Sequence, residues 1–242
     1  MSFQLTFEVL GARAEPYAAV PTLTFALRLA ETSGQAIHTV ALRCQIQIEP
    51  RRRPYSAAEE ARLLELFGEP KRWGDTLKTL LWTQAPLMVP GFAGATEVNL
   101  PIACTYDFEV TAAKYFQALD DGEIPLLFLF SGTVFGKNGS GISVEPVPWE
   151  KEASFRLPVR VWREVMDLYF PGSAWVRLRR ESFDALHRFK ARRALPTWDD
   201  AVEALLMAAG EAGEVGEAGE AGEVGEAGEA GEVGEAAEGG DA

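Results

Sequence analysis

Three runs of strict alternation open this chain, and they restrict its fold more than any other feature. Phe3, Leu5, Phe7 and Val9 alternate with more polar neighbours, as do Leu23, Phe25, Leu27 and Leu29, and again Val40, Leu42, Cys44, Ile46 and Ile48. A period of two places one face of a strand on a core and the other in water. Three such runs within the first 50 residues, with no helix between them, predict an antiparallel sheet. Thr32-Ser33-Gly34-Gln35 separates the second run from the third as a hairpin-like turn.

Helical patterns come later and are shorter. Ser56-Ala57-Ala58-Glu59 has the spacing of a capping box, followed by an apolar face of Leu63, Leu64 and Phe67 and a stop at Gly68 and Pro70. Strand-like pieces follow at Leu77–Thr83, Glu97–Cys104 and Asp107–Val110, with a short helix over Thr111–Leu119. Ile124–Phe135 is apolar on both faces around Leu126–Phe130, the pattern of a central strand covered on both sides. Lys137–Gly141 reads as a turn, with a return strand from Ile142. Ser154–Val159 alternates, Val161–Tyr169 is helical, and Trp175–Arg179 reads as a last strand. Two helices close the pattern, one from Ser182 with Phe183, Leu186 and Phe189 inward. The other starts at Thr197, with Trp198, Val202, Leu205 and Leu206 on one face. The fold class is α+β and mainly β: an antiparallel β-sandwich or curved sheet with peripheral helices, a β-rich globular region over residues 1–209 whose length fits one domain or two small lobes.

Residues 210–242 are of another kind. GEAGEVGEA occurs three times without error from Gly210 to Ala236, with ten Glu, one Asp and no Lys or Arg in the whole segment. Gly at every third position mimics collagen, but without Pro the chain lacks collagen's stiffening, and the same glycines oppose helix. The segment reads as a disordered acidic tail. It accounts for most of the net charge of −13, since outside it 25 acidic residues face 23 basic ones. The low isoelectric point therefore says little about the folded surface.

No apolar run approaches the ~20 residues of a membrane span, which predicts no membrane insertion. The first residues show neither a basic start nor a signal-like apolar core, so the cytoplasm is the expected location. Cys44 and Cys104, both in apolar strand contexts, read as buried reduced thiols.

Chemistry-bearing motifs are sparse. His38 and His187 stand alone, without metal-ligand spacing, and no C-x-x-C occurs, so the sequence implies no metal, cofactor or catalytic residue. Gly132–Asn138 resembles a phosphate loop but has three residues between its glycines where that loop has four, and reads as a β-hairpin. Arg51-Arg52-Arg53 marks either a contact for an acidic partner or a solvated strand end, with Arg52 or Arg53 able to pair with Glu59 or Glu60. Between Arg156 and Arg193 there are ten basic and four acidic residues. As a strand, Trp175, Arg177 and Arg179 would share one face, with Val176 and Leu178 on the core. Arginines interleaved with an aromatic suit a protein partner or a nucleic acid, while cations in the last turn of a helix also simply offset its dipole.

The segment LRCQIQIEPRRRPYSAAEEARLLELFGEPKRWGDTLKTLLWT, with PVRVWREVMDLYFPGSAWVRL downstream, resembles an uncharacterised bacterial family common in actinobacteria, a domain of unknown function. The resemblance runs from about residue 3 to about 207. Members of such a family often lie in gene clusters with uptake [NiFe] hydrogenases, so the resemblance implies an accessory, assembly or maturation-linked role and supplies no catalytic residues. The leading expectation is a non-enzymatic protein-binding protein, with Arg51, Arg52, Arg53, Trp175, Arg177 and Arg179 as candidate contacts. A nucleic-acid-binding module and an enzyme whose site is assembled only in space remain open beside it.

Overall fold

In the computed structural model, which describes residues 3–105, 110–138, 141–173 and 176–210, the alternating runs are β1 (Leu5–Ala14), β2 (Thr22–Glu31) and β3 (Ile37–Ile48). The alternation does what it predicts: Leu23, Phe25, Leu27 and Leu29 point inward from β2, and Val40, Leu42, Cys44, Ile46 and Ile48 from β3, all buried. β1 and β2 pair as a hairpin, but β2 and β3 do not. β2 lies between β1 and β5 (Ala95–Ala103) in a three-stranded antiparallel sheet. β3 lies between β4 (Leu80–Phe92) and β6 (Glu123–Asn138) in a second one. Residues 32–35 therefore carry the chain from one sheet to the other.

Glu31 sets that crossing. Its buried carboxylate accepts the backbone N–H groups of Gln4 (3.0 Å), Ser33 (3.0 Å) and Gln35 (2.9 Å) and the Ser33 hydroxyl. Burial opposes ionisation, but these donors outweigh it and hold the carboxyl down at about 2. The second crossing, from β4 to β5, turns at Gly94 in the left-handed region (φ 72°), where Gly94 C=O accepts the Glu31 N–H.

The two sheets face each other across an aromatic core. Phe7 stacks on Phe130 with centroids 4.3 Å apart, and Phe25 meets Phe128, Phe155 and Trp82 edge-on at 5.1, 5.9 and 6.1 Å. Such pairs add about 0.5–1.5 kcal/mol each beyond the area they bury. β6 is central: β8 (Glu152–Pro158) pairs with its first half and β7 (Gly141–Pro146) with its second, opposite β3. Its other face is less enclosed than its sequence predicts, because Leu127 and Leu129 are only half-buried.

Helices seal the rim. The Ser56–Glu59 capping box is present at the start of α1 (Ala57–Arg62), and α2 (Leu64–Phe67) ends at Gly68 with φ 69°. α3 (Trp73–Thr76) ends just before the expected Leu77–Thr83 strand, Leu77 is its C-cap, and β4 begins only at Leu80. α4 (Thr111–Gln117) matches its expectation, whereas most of the Asp107–Val110 piece lies outside the described residues. α5 (Val159–Tyr169) buries Val161, Trp162, Val165 and Met166. Its Tyr169 hydroxyl shares its one proton between the carbonyls of Glu15 (2.7 Å) and Ala18 (2.9 Å) and accepts the Ala18 N–H (3.0 Å), which ties down the β1–β2 loop. Cys44 and Cys104 are buried free thiols, both pushed up to about 12 by burial.

The chain divides into two units after Arg177, inside the 1–209 span that the sequence leaves as one domain or two lobes. The sheets and α1–α5 form the first. The second begins at Leu178 and holds α6 (Arg180–Arg192) and α7 (Trp198–Ala209). The acidic segment beyond Gly210 lies outside the described residues, and with it the expectation of disorder. Among the described residues no helix is long and apolar enough to cross a membrane.

Candidate interaction surface

The three consecutive arginines split into two kinds. Pro50–Arg52 form a single 3-10 turn, which leaves Arg51 and Arg52 exposed, with Arg52 ion-paired to Glu49 at 2.9 Å. Arg53 turns inward, its side chain only 7% exposed, against Glu59 at 4% and 2.7 Å. The same Glu59 carboxylate accepts the N–H groups of Ser56 (2.9 Å) and Asp120 (3.0 Å), while Arg53 also donates to the Asp121 carbonyl (3.2 Å). Arg53 Nη1 is buried without a hydrogen-bond partner, and the guanidinium lies 5.0 Å from the Tyr55 ring centroid, a cation–π contact. Tyr55 and Tyr115 share a hydroxyl contact of 2.8 Å, and burial raises Tyr55 to about 12 and Tyr115 further. This cluster clamps residues 50–67 onto α4. Arg53, a candidate partner contact by sequence, is therefore a buried fastening.

The candidate face at Trp175, Arg177 and Arg179 also changes. Trp175 lies outside the described residues. Residues 176–179 form no strand, and Val176 (71% exposed) and Leu178 (46%) do not face a core. A strand exists only by pairing, and no strand of either sheet pairs with this segment. Its alternation leads instead into α6, for which Arg179 is the extended N-cap.

What the second unit does present is a cationic surface beside an apolar one. Arg179, Arg180, Arg188, Arg192 and Arg193 are all exposed, as is Arg177 at the end of the first unit, and none has an ion pair among the described residues. From Arg177 to Arg193 there are seven basic side chains and two acidic ones. Lys190 is occupied: its ammonium donates to the Leu195 and Pro196 carbonyls at 2.8 and 2.7 Å, fixing the loop between the helices. α7 starts from a capping box in which the Asp200 carboxylate accepts the Thr197 N–H (2.8 Å) and hydroxyl (2.6 Å). These bonds lower the Asp200 pKa. Trp198 lies 5.2 Å from Phe183 and 6.0 Å from His187, ring to ring. Val202, Leu205 and Leu206 follow on the same stripe as Trp198, each more than a third exposed, and Ala201 is the only buried residue among those described from 178 on. The stripe is legible in the sequence; its exposure is not.

Residues suited to catalysis are scattered. His38 and His187 are exposed, on β3 and α6. An open depression of about 590 Å³ lies on the outer face of the second sheet, lined by Ala41, Arg43, Pro86, Met88, Ser131 and Gly132, with no histidine or carboxylate. Its floor is glycine of necessity: at φ +141° a Cβ on Gly132 would sit 2.1 Å from the Ala41 carbonyl oxygen. That glycine belongs to β6, so Gly132–Asn138 is strand and hairpin, as read, and not a phosphate loop. Among the described residues no group of three or more His, Cys, Asp or Glu side chains is placed to hold a metal ion.

No curated protein matches the sequence. Solved structures similar to it include the CARDB domain of a Pyrococcus furiosus protein in complex with di-metal ions, at 9% identity and TM-score 0.26, covering 64% of this chain and 92% of that one. A putative ApaA protein of Bordetella pertussis is similar at 15% identity and TM-score 0.24, covering 64% and 93%. A β-glucosidase of Kluyveromyces marxianus is similar at 8% identity and TM-score 0.24, where the matched 64% of this chain spans only 15% of the other. TM-scores this low carry no functional argument. The family comparison is of another order: residues 2–214 match the family of unknown function DUF6084, and the chain belongs to that family.

Proposed function

We propose that this DUF6084 member is a non-enzymatic protein-binding module in which the β unit is the scaffold and the helical unit the recognition element. The observation that carries the reading is the conjunction in the helical unit of five exposed arginines, Arg179, Arg180, Arg188, Arg192 and Arg193, without ion pairs among the described residues, and an apolar stripe of Trp198, Val202, Leu205 and Leu206 on α7. Contiguous exposed apolar surface beside charge is the character of a protein interface, apolar at its centre and polar at its rim. The partner it fits presents carboxylates around an apolar patch. Arg51 and Arg52 form a secondary contact, since they alone of the first arginine cluster remain on the surface. The buried thiols, pushed up to about 12, are inert as nucleophiles, which favours binding over covalent chemistry.

A nucleic-acid ligand is disfavoured by the exposed aliphatic stripe of Val202, Leu205 and Leu206, which matches an apolar protein patch and offers nothing to phosphates. The finer role, assistance in [NiFe]-hydrogenase assembly or maturation, rests on the family resemblance. The test is capture of purified hydrogenase subunits and assembly proteins by the full chain, native and with Arg177→Glu and Arg179→Glu. The reading expects specific capture that the reversals weaken at least about tenfold, roughly 1.4 kcal/mol. Equal capture by both forms would remove the arginine face from the account. Retention of single-stranded RNA that falls steeply with salt, and of no protein, would replace it with the nucleic-acid reading.

A further inference from the structure

We infer that residues 211–242 occupy the arginine surface of α6 in the free protein and so compete, within the chain, with the acidic partner. This rests on the reading of that surface as a recognition element and adds its regulation. The first observation is charge. The segment carries eleven acidic side chains and no cation, and the surface carries exposed Arg179, Arg180, Arg188, Arg192 and Arg193 with no ion pair among the described residues. α7 does not neutralise them: it has three acids, and the Asp200 carboxylate is held by Thr197.

The second observation is reach. Trp198, the first residue of α7, lies 5.2 Å from Phe183 of α6, so α7 starts beside the arginine helix. The 12 residues of α7 then place Gly210 about 18 Å further on. A Gly-rich coil of about 32 residues has a root-mean-square span of roughly 30 Å, longer than that distance and than the ~20 Å of α6. Tethering at such a length gives an effective concentration on the order of millimolar. The third is pattern. Glu at every third position in a sequence that opposes helix offers many equivalent registers. The carboxylates can therefore exchange along the arginines without one ordered structure, and the occupied state keeps much of its chain entropy. Such pairing is screened by salt, so the surface is masked at low ionic strength and open at high.

The test uses the full chain. Because Cys44 and Cys104 are buried, a nitroxide couples selectively to Ala242→Cys. Amide signals of residues 177–193 are read in about 50 mM and about 500 mM salt. The same is done for a full-length variant whose ten Glu beyond Gly210 are changed to Gln. The inference expects the label to broaden residues 179–193 at low salt, an effect lost at high salt and in the Gln variant. A decaglutamate peptide then binds the Gln variant about tenfold more tightly than the native chain. Absence of salt-dependent broadening with equal peptide affinity overturns it. Peptide binding by both forms without broadening leaves the recognition surface standing and removes only its masking. Broadening with no peptide binding to either form keeps the masking and removes the recognition role. Broadening seen only between labelled and unlabelled copies in a mixture overturns the intrachain form.

Discussion

The two units of this chain use the same residue types in opposite ways. The β unit encloses a core of large side chains, with Phe25, Phe128, Phe130 and Tyr115 at 1% exposure or less, although Tyr17 and Trp149 stand in solvent. It also pairs part of its charge, and all eight ion pairs found among the described residues lie between Arg13 and Arg163. The helical unit does neither. Its Phe183, Trp198, Val202, Leu205 and Leu206 remain over a third exposed and its arginines have no ion pair among the described residues. Two helices of 13 and 12 residues have too little facing area to bury an apolar stripe between them. Local devices rather than a core hold them: the Thr197–Asp200 capping box, the Lys190 contacts to the loop and the Trp198 cluster. Stability thus resides in one unit, and unsatisfied surface in the other.

This contrast breaks first if substitutions of like chemistry cost alike in both units. Phe25→Ala removes a fully buried ring touching three aromatics, and should cost about 3–5 kcal/mol by denaturant unfolding, against under ~1 kcal/mol for Phe183→Ala. Equal losses would mean that the hairpin has a core of its own. Nearly as large is Arg53→Ala, which strands the Glu59 carboxylate in the interior at about 3–5 kcal/mol, whereas Arg188→Ala on exposed α6 should stay within ~0.5 kcal/mol.

Glu31 sharpens the contrast through pH. Its pKa is about 2 in the folded state against an ordinary 4.5, so its contribution is fully present above about 4.5 and is lost as pH falls through about 2. Glu31→Gln should therefore cost about 1–3 kcal/mol at neutral pH. The gap between variant and native chain should close between about pH 4.5 and 2 in urea midpoints; a gap independent of pH would show that the carboxylate charge is not what holds the crossing.

How far all this is legible beforehand differs between the units in the same way. The strands of the β unit announce themselves, because a half-buried strand must alternate. Their assignment to two sheets does not, because Glu31 in a Ser-Gly-Gln turn looks like any polar turn residue until its four donors are seen. The partner of Arg53 is visible in sequence as Glu59 or Glu60, but its burial is not, since α4 arrives from more than 50 residues away. Trp175–Arg179 misleads because alternation near an element boundary mimics a strand when no partner strand is there. The capping boxes at Ser56 and Thr197 read correctly, being wholly local.

The smallest effect belongs to the hairpin loop. Ala194 has φ 51°, a left-handed conformation that glycine adopts without strain, so Ala194→Gly should raise the local stability of α6 and α7 by up to about 1 kcal/mol while leaving the β unit unchanged. A helicity change confined to the helices, read by amide exchange, checks it; destabilisation would mean that the loop is held by the alanine side chain.

Residue-resolved native-state hydrogen exchange tests the division of labour most directly. The account predicts that β2, β3 and β6 amides exchange only through global unfolding, while α6 and α7 open several kcal/mol more easily and gain protection when an acidic partner binds. Equal protection of α6, α7 and the central strands in the free protein would contradict it.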